Sequence, residues 1–145
     1  MIVSKPKIGT LFSISIFISI AFGFFIYGLL NINQAESKVG WMILIYTSGP
    51  IGLVVLIKVL TGLRYIKVGK LKFEISFPFK FSKIRFESKD LQAWKHHVIK
   101  TYGGMYEEIT WQLKTGQKYS VSKQENSEYD KILKYMKSKF RKLEA

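Results

Sequence analysis

IGTLFSISIFISIAFGFFIYGLL (residues 8–30) and VGWMILIYTSGPIGLVVLI (residues 39–57) decide the architecture of this chain. Neither run contains a charged residue. A helix rises ~1.5 Å per residue, so either run can cross a hydrocarbon core of ~30 Å. Residues 31–38 between them are polar and too few to fold. The sequence therefore predicts a two-helix transmembrane hairpin over residues 1–62, with spans at about 8–30 and 39–60. It leaves residues 63–145 to form one small domain in water.

A cleaved leader fits the first run poorly. Lys5 and Lys7 precede it as an n-region would. The run is longer than the ~7–15 apolar residues of a signal peptide, and no small-x-small cleavage site follows. The flanking charges set an orientation instead. Lys5 and Lys7 lie before the hairpin; Lys58, Arg64, Lys67, Lys70 and Lys72 lie at or after its end. Glu36 and Lys38 cancel in the linker. The positive-inside rule then places both termini and the domain in the cytoplasm.

The net charge is +13, and residues 63–145 hold most of it. Basic residues next to a bilayer are attracted to anionic headgroups by ~1 kcal/mol each, so membrane lipids are expected partners. No nucleic-acid recognition motif accompanies the charge. The chain has no cysteine, which excludes disulfides, cysteine-ligated zinc and thiol nucleophiles.

Inside the spans, Ser15, Ser19 and Gly23 recur every four residues and make a stripe of small side chains. Ser48 and Gly52 do the same in the second run, around Pro50. Such residues let another helix approach closely. The occupant is either a partner subunit or the chain's own second helix, and the short linker favours the second helix. Pro50 is expected to kink its helix. Trp41 suits the interface. Without intramembrane ionisable residues, two helices offer little transport pathway.

In residues 63–145 the clearest signal is alternation. Leu71, Phe73, Ile75, Phe77, Phe79 and Phe81 alternate with polar residues, which predicts one long strand or two with a break. Pro78 cannot donate to a ladder, so the break or an edge is expected there. Ile84 and Phe86 are out of phase with Phe81, which requires a turn or bulge near Ser82. Residues 93–100 read as a strand or a short helix, since Leu91, Trp94 and Val98 also fit helical spacing, with the strand favoured. Gly103-Gly104 reads as a turn, and residues 107–114 and 118–122 as a hairpin about Thr115-Gly116. Trp111 alternates with Ile109 and Leu113 and reads as core. Tyr102 and Tyr106 stay open between core and interface anchor. Tyr129, Ile132, Leu133, Met136, Phe140 and Leu143 form one stripe of a helix over 127–142, capped by Asn126 or Ser127 and packed on the sheet.

KIRFESKDLQAW (83–94), EEITWQLKTGQKYSV (107–121) and SEYDKILKYMKSKF (127–140) resemble, in order and patterning, bacterial pleckstrin-homology-like domains. The two spans placed before them resemble the membrane-anchored members of that family. The resemblance implies an α+β fold: a partly open β-barrel or sandwich with a C-terminal capping helix. It also implies a bacterial inner-membrane protein whose domain binds rather than catalyses. Lipid-binding members clamp phosphate with a Lys-x(n)-Lys/Arg-x-Arg pattern, which Lys80, Lys83 and Arg85 reproduce in KFSKIR (80–85).

Catalytic and metal constellations are not readable. His96 and His97 are adjacent, so on a strand they point to opposite faces, and Glu107-Glu108 fails as a carboxylate pair for the same reason. No cofactor, small-molecule substrate or catalytic residue is expected. The expectation is a non-enzymatic membrane scaffold that binds a partner protein or a second subunit, with an anionic-lipid sensor as the alternative.

Overall fold

The structure, a computed structural model, describes every residue except Ala35, which belongs to the expected linker. It divides into two compact units. Residues 8–62 form one; residues 1–7 and 63–145 form the other.

The first unit is a pair of helices, α1 (Ile8–Asn31) and α2 (Val39–Gly62). Both are long and apolar enough to cross a membrane, and their limits match the expected spans closely. The helix α2 continues through Pro50. The helices approach through glycine. A Cβ on Gly49 would sit 2.7 Å from the Phe25 ring, and one on Gly28 would sit 2.8 Å from Ile45 Cγ1. Gly52 faces Ala21, where a Cβ would meet the alanine methyl at 3.2 Å. Tyr27 and Trp41 close one end edge-to-face, with centroids 5.5 Å apart.

The expected packing of the Ser15–Ser19–Gly23 stripe on α2 is not what forms. All three residues are exposed, and a Cβ on Gly23 would meet nothing within 4 Å. The side of α1 carrying Ala21 and Gly28 faces α2 instead. Opposite the glycines of α2 that side allows the closer backbone approach, and burying Phe25 and Ile45 there gains more dispersion contact than serines would.

The second unit holds two antiparallel sheets and a helix. One sheet has the order β1 (Ile2–Ser4), β2 (Tyr65–Gly69), β3 (Lys72–Phe77), β4 (Ser82–Glu87). The other has β5 (Leu91–Thr101), β6 (Gly104–Leu113), β7 (Lys118–Ser122). Among the described residues no ladder joins the sheets, so no closed barrel forms. They face each other across an aromatic core. Phe73 stacks on Phe86 at 4.8 Å and meets Trp111 at 5.6 Å, and Phe86 stacks on Tyr119 at 6.0 Å. The helix α3 (Tyr129–Lys139) adds Tyr129, Ile132 and Met136 to that core, as its stripe predicts.

Two strands escape a reading of the sequence. Residues 1–7, expected as a basic lead to the first span, begin with β1, and residues 65–69 form β2. Ile2 pairs with Val68 and Ser4 with Ile66, so the first and second strands of the sheet are separated by the whole helical hairpin. The long alternating segment is two strands. Pro78 starts a 3-10 turn, and Phe81, at φ 49, leads into β4. Leu71 is not a strand residue. With Lys70 it forms the β2–β3 turn, both at positive φ (50 and 62), which is the backbone of a primed hairpin turn built without its usual glycine.

The ends of α3 also differ from expectation. Neither Asn126 nor Ser127 caps it; Glu128 precedes it at φ 56 with no side-chain cap. The Asn126 amide donates to the Ser122 carbonyl, and the Ser127 hydroxyl accepts from the Lys5 N–H. The end of β7 takes the first of these groups and the N-terminal segment the second. The helix stops at Lys139 rather than 142. There the Trp94 indole N–H takes the Phe140 carbonyl at 2.8 Å.

Candidate functional site

The outward rows of the four-stranded sheet carry two of the three residues expected to bind phosphate. β4 exposes Lys83 and Arg85 two residues apart, hence on one face. Register puts Arg85 opposite Glu74, and Glu74 opposite Lys67 on β2. The three strands thus lay down a cross-strand ladder. Arg85 Nε donates to Glu74 Oε2 at 2.8 Å, and Lys67 Nζ lies 3.7 Å from the other carboxylate oxygen. The Arg85 hydrogen bond holds the Glu74 carboxyl below the usual carboxylate range, with Lys67 and Lys83 adding to the field.

Lys80 lies off this row, in the 78–81 turn. Its ammonium sits 5.6 Å from the centroid of the Phe77 ring, a cation–π distance. The three sequence-matched cations are therefore in different situations. Arg85 is engaged by Glu74, Lys80 leans on an aromatic ring, and Lys83 has no ion-pair partner within 4 Å among the described residues. Glu74 takes only the Nε of Arg85, whose side chain is largely exposed, so the remaining guanidinium donors face solvent while the Glu74 charge offsets part of the positive field.

A second polar cluster, unread in the sequence, lies at the edge of the core on the other sheet. Glu107 projects inward from β6 beside Lys123, which donates at 2.8 Å and also lies 3.4 Å from Asp130 on α3. His96 Nε2 is 3.4 Å from Glu107, and its ring stands 6.4 Å from that of Tyr129. The Lys123 hydrogen bond lowers the Glu107 carboxyl below its ordinary value, and Glu107 in turn raises the Lys123 ammonium. Burial, then the Glu107 and Asp130 charges, push the Tyr129 hydroxyl well above its ordinary value. These groups join β5, β6, the loop after β7 and α3, a fastening of four elements. Only long-range pairing assembles them, so no local spacing could have shown them.

The histidines do point to opposite faces: His96 is half-buried and His97 exposed. Trp111 is core, fully buried between Phe73 and Phe86. Tyr106 is half-buried, and burial raises its hydroxyl. Tyr102 is fully exposed at the β5–β6 turn. Ser48 is half-buried with its hydroxyl on the Leu44 carbonyl at 2.6 Å, and Gly52 is buried against Ala21. Comparisons with protein-family models, curated proteins and solved structures return no match.

Proposed function

We propose that this chain is a non-enzymatic scaffold of the bacterial inner membrane, in which a pleckstrin-homology-like unit on the cytoplasmic side binds a partner protein or a second subunit. The observation that carries the reading is the pairing of β1 with β2 across the helical hairpin. The apolar helices are an insertion within a sheet, so a membrane crossing by α1 and α2 would return the chain to the unit it left. That supports a binding unit held at the bilayer rather than one trailing on a tether. Lys5 and Lys7 before the first helix, and Arg64 and Lys67 after the second, support a cytoplasmic location for both termini. Strands first, a Thr115-Gly116 hairpin late and one helix last support the pleckstrin-homology-like reading.

The exposed stripe on α1 supports a partner within the membrane. Ser15 donates to the Leu11 carbonyl at 2.8 Å, so its hydroxyl is satisfied within its own helix and leaves a smooth, small surface for another helix. The alternative, a sensor reading anionic lipid phosphate through Lys80, Lys83 and Arg85, is weakened by the Glu74 charge beside Arg85 and by the place of Lys80 in the 78–81 turn, off the row of the other two. Chemical cross-linking in native membranes, followed by gentle solubilisation, tests the proposal. A specific adduct that Ser19→Leu or Gly23→Leu abolishes is expected. A chain that is monomeric and alone before and after those changes overturns it.

A further inference from the structure

The geometry points to one end of the β unit as a surface seated in the lipid headgroup layer, through the tips of its β3–β4 and β5–β6 hairpins. The inference rests on the reading of α1 and α2 as membrane spans. It begins with where the chain leaves the β unit. The Lys7 N–H donates to the Glu125 carbonyl at 2.8 Å, and the next residue back, Gln124, donates its amide to the Met105 carbonyl at 2.6 Å. The exit toward α1 therefore adjoins the β5–β6 hairpin. On the other sheet, Tyr65, two residues after the return at Leu63, pairs with Ser76, and the next rung, Phe77 with Ser82, closes the 78–81 turn. Both hairpin tips lie at the end where the chain departs and returns.

Those tips expose what a soluble domain normally hides. The β6–β7 ladder ends at Glu108 with Ser122, and β5 and β6 continue past it as a two-stranded ribbon to Thr101 and Gly104. The Lys123 N–H and the Gln124 amide still bond the Glu107 and Met105 carbonyls there, so the free part of the ribbon is its tip. Each face carries apolar residues beside polar ones. Met105 alternates inward with Glu107, while Ile99 pairs outward with Tyr106. Ile99 and Met105 are each more than half exposed, and Tyr102 at the tip is wholly so. In the β3–β4 turn Phe79 is 54% and Phe81 98% exposed. Each tip also carries a lysine, Lys80 and Lys100.

Apolar and tyrosine side chains with adjacent lysines suit the bilayer interface, where an aromatic ring and a cation are both satisfied. Two such tips on one end, beside both departure points toward apolar helices, fit a lipid surface better than separate protein pockets. The opposite end, with the β6–β7 turn at Thr115-Gly116, lies about 30 Å along β6 and stays free for a partner.

The absence of native cysteine makes the test direct. Single-cysteine variants of the full chain, Phe81→Cys, Tyr102→Cys, Met105→Cys, Thr115→Cys and Phe24→Cys, are labelled with an environment-sensitive fluorophore. They are then reconstituted in phosphatidylcholine–phosphatidylglycerol vesicles. Labels at 81, 102 and 105 are expected to be quenched by nitroxide lipid and to be several-fold less accessible to aqueous iodide than the label at 115. The label at 24 reports the span itself. If 24 is quenched by lipid while 102 and 105 match 115 in iodide, the spans stand and the seating is overturned. If 24 is not quenched, the spanning reading fails and the inference falls with it.

Discussion

Replacing Ser4 by alanine should unfasten the first strand without unfolding the unit it belongs to. Ser4 is fully buried, and its hydroxyl donates to the Ser127 carbonyl. The Lys5 N–H donates to the Ser127 hydroxyl at 2.9 Å, the Ser127 N–H to the Lys5 carbonyl at 2.8 Å, and the Lys7 N–H to the Glu125 carbonyl at 2.8 Å. This clamp holds residues 4–7 against residues 125–127, and β1 adds only three ladder pairs to β2. Losing one half-buried hydrogen bond, with its acceptor left unpaired, costs about 1–2 kcal/mol. That raises the opening equilibrium about 5–30-fold. The assay is hydrogen–deuterium exchange of the full chain in micelles, read by mass spectrometry. Peptides covering residues 1–7 and 123–128 should lose protection by that factor, while peptides around Ile109 and Trp111 keep theirs. Equal loss in both regions would refute the reasoning, because it would make β1 part of the cooperative core; unchanged exchange would refute the clamp.

Three further outcomes follow from particular residues. Replacing Lys70-Leu71 by Asn-Gly should stabilise the β unit, by ~1 kcal/mol or more, because both positions have the left-handed backbone that asparagine and glycine adopt at lower cost; thermal unfolding of the purified chain measures it. Gly49→Val should separate α1 from α2, since even a Cβ meets the Phe25 ring at 2.7 Å, whereas Gly23→Val should leave the pair intact; cross-linking between cysteines placed on the two helices distinguishes them. Glu107 is held below its ordinary value when folded, so the stability it adds is present above the unfolded carboxylate value and is lost as pH falls through the folded one. The variant Glu107→Gln should therefore flatten the melting temperature against pH in the acid range, and an unchanged slope would count against the Lys123 contact.

The helical pair was legible because membrane-spanning runs are long, local and free of charge; no tertiary partner is needed to recognise them. The alternation of residues 72–77 and 82–87, the β6–β7 hairpin and the stripe of α3 were legible for the same reason, whereas in β5 the helical spacing of Leu91, Trp94 and Val98 competed with the strand reading. Period two and period 3.6 are properties of the chain itself. The strands β1 and β2 were not, because three and five residues carry too little pattern and their pairing bridges the whole hairpin. The phosphate-like pattern at Lys80, Lys83 and Arg85 was visible in the sequence, but the Glu74 partner that occupies Arg85 comes from the neighbouring strand. The Glu107–Lys123–Asp130 cluster joins three separate segments and had no local signal at all.

By itself, then, the sequence determined two apolar helices, a basic remainder rich in alternating strands, and a closing amphipathic helix, since each follows from hydropathy over a short window. Only the tertiary structure decided that residues 2–4 complete a sheet begun on the far side of the hairpin. It alone decided that glycines rather than the serine stripe join α1 to α2, and that Phe81 and Tyr102 stand exposed beside the points where the chain leaves and re-enters the β unit. The physical reason is common to all three. Hydrogen-bond pairing and close packing are settled between residues distant in the chain, and the chain's own periodicity says which face a residue occupies but not what that face will meet.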